Sequence, residues 1–224
     1  ATDNGPWLSY GNHGGSNGPL QEGKFTVFEG GQRVPFIARW PGQVPAGRTS
    51  DALVTSLDIL PSLAQLTGAS LPEREIDGVD VSPVLLGEAG EEFRRPPFFF
   101  YDSRALKAVR HGPWKLHLPH DYPSIRAEGA DPGMDGTNGE YGDGRIDTAL
   151  FHVGRDPGES ENLADERPDM VDSLVALIEA QRPVLGDSRT ETEGRENRPA
   201  ATVEEPWSVQ VDVDWNPADG PDYE

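Results

Sequence analysis

The chain has 224 residues, 35% of them hydrophobic, enough to bury one real core and to form one domain or one and a half. Its 19 Lys and Arg stand against 39 Asp and Glu, a formal net charge of −20. That field repels phosphate backbones and anionic lipid surfaces and argues against nucleic acid as a partner. No stretch approaches the roughly 20 apolar residues of a spanning helix, so no membrane-embedded segment is expected. With no Cys there is neither a disulfide framework nor a thiolate metal site.

The chain opens Ala-Thr-Asp-Asn-Gly, without an initiating Met or an apolar leader, and reads as a cut through a longer protein. Asp3-Asn4-Gly5 places a carboxylate beside an amide oxygen, the kind of oxygen donor that hard cations take, although the same residues form ordinary turns. A Gly-rich loop holding His13 (YGNHGGSNG) follows as a candidate pocket wall. Lys24, preceded by Gly23, is a candidate local cation for an anion site, which in so acidic a chain must be built from nearby positive charge. Gly30-Gly31 ahead of Arg33 reads as a structural turn.

Residues 34–40 (VPFIARW), ended by Pro41-Gly42, predict a buried strand. In 55–67, Leu57, Leu60, Leu63 and Leu66 recur every third residue before Gly68 and predict an amphipathic helix with Pro61 near its start. From Pro96 the texture shifts to short strand runs at 98–101, 105–110 and 114–118, the last two joined by a His-Gly-Pro turn. Residues 126–145 are Gly-rich and predict a long flexible loop; an EF-hand within it fails because Gly133 occupies a ligand position. A strand is expected at 148–153. Residues 167–185, with Met170, Leu174, Leu177 and Ile178 on one face and Pro168 in the first turn, predict a helix. Beyond Gly186, residues 188–224 hold ten Asp or Glu against three Arg, net −7, and predict a loosely ordered acidic tail that adds little to the core. Within it, 207–215 alternates like a strand. His117 and His120, three apart, would face opposite sides of one strand and so not share a metal.

Taken in order, Thr2-Asp3-Asn4-Gly5, Gly23-Lys24, Glu29-Gly30-Gly31, Arg33-Val34-Pro35 and Trp40-Pro41-Gly42 resemble the second half of the sulfatase family. The likeness continues through Ser56 to Leu63, Asp77-Gly78-Val79-Asp80, the strand runs from Phe98 to Lys115, and Asp156-Pro157-Gly158-Glu159 with Asn162-Leu163. It looks nearest to the arylsulfatase A and N-acetylgalactosamine-6-sulfatase branch and covers about residues 1–186.

The resemblance implies an alkaline-phosphatase-like α/β fold: residues 1–92 as the end of a large α/β domain, 93–187 as a small antiparallel sheet with a C-terminal helix, and 188–224 as a tail. It also implies hydrolysis of small-molecule or carbohydrate sulfate esters. One calcium ion would take Asp3 and Asn4 as two of its metal ligands, and Lys24 would be the catalytic and substrate-binding contact to sulfate. The nucleophile it implies is a formylglycine made from a C/S-x-P-x-R motif in the N-terminal half; Ser9, Ser50 and Ser82 do not fit that pattern, so the chain alone is expected to be inactive. An exported location, periplasmic or extracellular, goes with the family. Two other readings stand beside this one: a phosphodiesterase or phosphonate hydrolase of the same superfamily, and a non-catalytic acidic binding module. Substrate identity and oligomeric state are left open.

Overall fold

The computed structural model describes residues 1–90, 93–198 and 202. The first third is mostly irregular, wound around a 3-10 helix (Leu8–His13) and a one-turn helix α1 (Glu29–Gln32). The predicted leucine helix forms as a 3-10 turn (Ser56–Asp58) running into α2 (Ile59–Thr67). Pro61 sits in its first turn, where an amide is not needed, and Gly68 at φ 70° closes it in a left-handed conformation. Asp58 is buried there. Its carboxylate accepts hydrogen bonds from the Thr55 and Val79 amides and pairs with Arg95, tying α2 to the chain around α3 (Ser82–Leu85).

Among the described residues eight strands follow: β1 (Phe98–Asp102), β2 (Ala105–His111), β3 (Trp114–His117), β4 (His120–Ser124), β5 (Gly142–Ile146), β6 (Ala149–His152), then β7 (Gly186–Asp187) and β8 (Thr192–Glu193) after helix α4 (Pro168–Leu185). β1, β2, β3 and β6 form one antiparallel sheet in that order; β4 pairs with β5, and β7 with β8. Against β1 the register on β2 skips Lys107, passing from Phe100↔Ala108 to Tyr101↔Leu106. This bulge turns Leu106 and Val109 towards one face, where they pack with Leu116 and Leu150 against Leu174 and Ile178 of α4, while Ala108 meets Phe100 and Val27 in a separate cluster.

That second face is polar at its centre and still dry. Lys115 and His117 alternate with the core residue Leu116 on β3, a pattern that usually puts polar groups in water. Here residues 22–32 cover them. Lys115 Nζ lies 3.0 Å from Glu29 Oε1 and 3.0 Å from Glu159 Oε1; Arg110 reaches Glu29 Oε2 at 3.1 Å. The Glu29 amide donates to Glu159 Oε2 at 2.6 Å, and His117 Nε2 sits 2.7 Å from Glu159 Oε1. Burial alone would raise the Glu159 carboxyl, but the Lys115 charge and the His117 hydrogen bond outweigh it and hold it below the usual range.

Several sequence expectations are corrected. Residues 34–40 join no ladder among the described residues, and Phe36, Ile37 and Trp40 are 48%, 85% and 46% exposed. The leucine stripe of α2 also faces out: Leu57, Leu60 and Leu63 are about half exposed, while Pro61, Ser62 and Ala64 are buried. Periodicity located the apolar surface but not a cover for it. The loop 126–145 is neither strand-free nor loose, because β5 occupies its end and Asp131 bridges Glu140. His117 and His120 do not face apart: Leu118-Pro119 separates β3 from β4, and the two rings stack at 5.7 Å with 12° between planes. The tail is not marginal up to residue 198; the strand run expected at 207–215 lies outside the described residues.

Asp187, the residue just ahead of the tail, makes its docking testable, because the tail's Arg189 amide donates to it. It is 1% exposed and accepts from the Leu106 and Arg189 amides while pairing with Arg182 at 3.0 Å. Asp187→Ala strands a buried strand amide and an arginine, so urea unfolding should show a loss of about 2–4 kcal/mol; a change below ~0.5 kcal/mol would return the tail to a passive role. The histidine stack predicts acid lability. Burial pushes His120 down to about 4, and it pushes His117 down as well. Depressed histidines bind protons more readily in the unfolded chain, so stability is complete above about pH 6.5 and falls as the pH drops towards 4. His120→Gln should flatten that slope in melts taken between pH 7 and pH 4.5; an unchanged slope would exclude His120 as its source.

Candidate functional site

The candidate residues meet because one strip of chain is threaded between two others. Gly5 donates to the Gly31 carbonyl at 3.0 Å, Gly30 to Gln21 at 2.9 Å, and the Lys24 amide to Pro6 at 2.9 Å. These approaches leave no room for side chains: a Cβ on Gly5 would fall 1.9 Å from the Gly30 oxygen, and one on Gly30 would fall 2.1 Å from that of Glu22. The loop 6–23 therefore turns back on itself and delivers Lys24 beside the 3–5 turn. At that turn Thr2 donates to Asp3 at 3.3 Å and Asn4 Nδ2 to Asp3 Oδ2 at 2.8 Å. The Asp3 carboxyl is held below its ordinary value first by its own backbone amide and the Thr2 hydroxyl, with the charge of Lys24 adding to them.

An open cavity of about 690 Å³ lies here, with Asn4, Trp7, Asn17, Lys24 and Arg33 on its walls. It holds two cations, and the Lys24 ammonium stands 4.6 Å from the centre of the Trp7 ring. Sequence reasoning singled out Lys24 and Asn4 but treated Arg33 as part of a turn and did not single out Trp7; nothing in residue type alone marks either. His13 does not line the cavity. It ends the 3-10 helix, with its ring near Gly136 of the loop that docks there.

Among the described residues no group of three or more His, Asp or Glu is arranged to hold a metal ion. Asp3 and Asn4 do supply two hard oxygen donors of the type calcium takes, short of the six to eight it needs. One pentapeptide, Ser70-Leu71-Pro72-Glu73-Arg74, satisfies the S-x-P-x-R spacing and escaped the sequence reading. It is an exposed loop after α2 and takes no part in the cavity, so it is not placed as a nucleophile there.

A family model for the C-terminal region of aryl-sulfatase matches residues 94–207, and one for the C-terminal part of N-sulphoglucosamine sulphohydrolase matches 22–113. The chain is 42% identical over 181 residues to arylsulfatase A of Bos taurus, covering 79% of this chain and 35% of that protein. It is 40% identical over 183 residues to N-acetylgalactosamine-6-sulfatase of Canis lupus familiaris, covering 77% and 34%. The crystal structure of the PsFucS1 sulfatase from Pseudoalteromonas sp. shares the fold, with a TM-score of 0.63 at 24% identity over 80% of this chain and 35% of that one. The chain thus spans about a third of the length of these relatives. By these matches and by its mixed α/β fold with small antiparallel sheets and a helix, the chain belongs to the sulfatase family.

Proposed function

We propose that this chain forms the part of a sulfate ester hydrolase that binds the sulfate group, with Lys24 as its contact and Asp3 and Asn4 as two of the ligands of a calcium ion. The observation that carries this reading is the shared cavity: Asn4 and Lys24 line it together, while Asp3, itself off the cavity wall, is tied to Asn4 by a 2.8 Å hydrogen bond. Lys24 and Arg33 give the cavity a local positive charge inside a chain of net −20, as an anion site there requires.

Sulfate ester cleavage builds negative charge on the departing oxygen while the sulfuryl oxygens stay anionic. An ammonium fixed beside them stabilises that distribution without reorganising. When bound, calcium would neutralise further charge on the same oxygens. Asp3 and Asn4 offer it a carboxylate and an amide oxygen, and the Asn4–Asp3 hydrogen bond orients the pair. The nucleophile, a formylglycine in this reading, comes from sequence outside this chain. A phosphodiesterase using two metals would call for imidazole ligands, and no histidine lines the cavity. Aryl and carbohydrate sulfates both fit this chemistry.

In the full-length protein that carries this chain, Lys24→Ala should lower kcat/KM on an aryl sulfate about 10²–10³-fold, and Asp3→Asn should in addition raise the calcium concentration needed for half activity. A Lys24→Ala enzyme within twofold of the wild type would overturn the assignment. The chain by itself should give no turnover above a buffer blank, and measurable hydrolysis would show that the nucleophile lies within it.

A further inference from the structure

The chain has three lysines, and two are neutralised by carboxylates. Lys115 is buried between Glu29 and Glu159, and Lys107 reaches Asp102 at 2.6 Å. Lys115 also stands 4.7 Å from the Phe100 ring centre, so a ring face alone does not set Lys24 apart; what does is that, among the described residues, its ammonium has no hydrogen-bond or ion-pair partner beside the rings. The Lys24 Nζ lies 4.6 Å from the Trp7 ring centre and 5.5 Å from that of Phe25. A ring face attracts a cation through its quadrupole but accepts none of its N–H donors in the way a carboxylate would. The ammonium is therefore located without being neutralised, at the wall of an open cavity.

The rings that hold it are themselves braced. Trp7 meets Tyr10 edge-on at 5.0 Å and Phe25 at 5.5 Å, and Phe25 meets Tyr141 at 6.1 Å. Tyr141 comes from the docked loop, whose Gly133 and Gly139 amides both donate to the Ser9 carbonyl, at 2.8 and 2.7 Å. Phe25 adds a second observation. Its backbone sits at φ 76°, a region that a bulky residue avoids, in a residue that is 51% exposed. Backbone strain of this kind gathers at functional sites.

We infer that Trp7, backed by Phe25, is a positioning residue for Lys24: the indole face fixes the ammonium over the cavity and leaves its donors for an incoming tetrahedral oxyanion. The identity of that oxyanion rests on the sulfate ester reading above; the placing of Lys24 does not.

Labelling the chain with ¹³C-lysine should give three ε-methylene signals in NMR, that of Lys24 being the one lost in Lys24→Arg. The Lys24 signal should lie upfield of a solvated lysine because of the Trp7 ring current. Trp7→Leu should abolish the shift and Trp7→Phe should retain part of it, while the Lys107 and Lys115 signals stay in place and report an intact fold. A Lys24 signal at the solvated position in the wild type, or one unmoved by Trp7→Leu, overturns the inference. Should Trp7→Leu lose the fold, Trp7→Phe decides, since an unchanged shift beside the smaller ring has the same meaning. Titration with inorganic sulfate then separates the two claims. Sulfate should move the Lys24 signal, at several-fold higher concentration in Trp7→Leu than in Trp7→Phe or wild type. A stacked Lys24 that ignores sulfate overturns the sulfate ester reading of the cavity, and equal sulfate response in all three proteins overturns the positioning role of Trp7.

Discussion

One buried ion cluster sets the geometry on which the rest depends. Lys115 and Arg110 from the sheet face Glu29 from α1 and Glu159 from the turn after β6, two positive charges against two negative, with His117 as a neutral fifth member. Charges taken out of water cost several kcal/mol each, and that cost is recovered only when every partner is in place with good geometry. The cluster is therefore satisfied by one docking of residues 22–32 on the sheet, and a shifted docking leaves a bare charge. The consequence runs outward. Fixing Glu29 fixes Gly30 and Gly31, whose backbone contacts to Gly5 and Gln21 leave no clearance for a Cβ, and these in turn set where Asn4 and Lys24 stand. A polar patch under a strand thus aims a cavity several contacts away.

The legible parts of the sequence were those whose pattern is local. The hairpins of β1 to β3 follow from short apolar runs and a Gly-Pro turn, and α4 follows from its 3.6-residue stripe with Pro168 at the start. What local pattern cannot carry is a partner distant in sequence. Glu29 and Lys115 are 86 residues apart and each looks like an ordinary surface charge. The face-apart reading of His117 and His120 assumed one continuous strand, and a two-residue break was enough to stack them. Residues 34–40 and the leucines of α2 failed differently: their apolar pattern is real, and Ile37 at 85% exposure shows that a pattern names a surface wanting cover without supplying it. At the candidate site, Asn4 and Lys24 were singled out through resemblance and stand on one cavity wall, whereas Arg33, read in the sequence as part of a turn, and Trp7, not singled out there, join them only in the fold.

The charge balance of the chain and the charge of its cavity have opposite signs, and distance decides which one a bound anion feels. At physiological ionic strength exposed charges are screened beyond roughly 8 Å, so most of the net −20 acts weakly at any one point. Lys24 and Arg33 act at contact range. A cation there is useful only while it stays uncompensated, and a chain with 39 acidic side chains offers many groups that could neutralise it. Holding the ammonium against aromatic faces answers that problem, because a ring anchors a cation without cancelling it. The same chain uses carboxylates for its other two lysines, one of them in the cluster that positions this cavity. Lysine therefore stands here in two opposite settings: neutralised by carboxylates where the fold is fixed, and without a carboxylate partner among the described residues at the cavity wall.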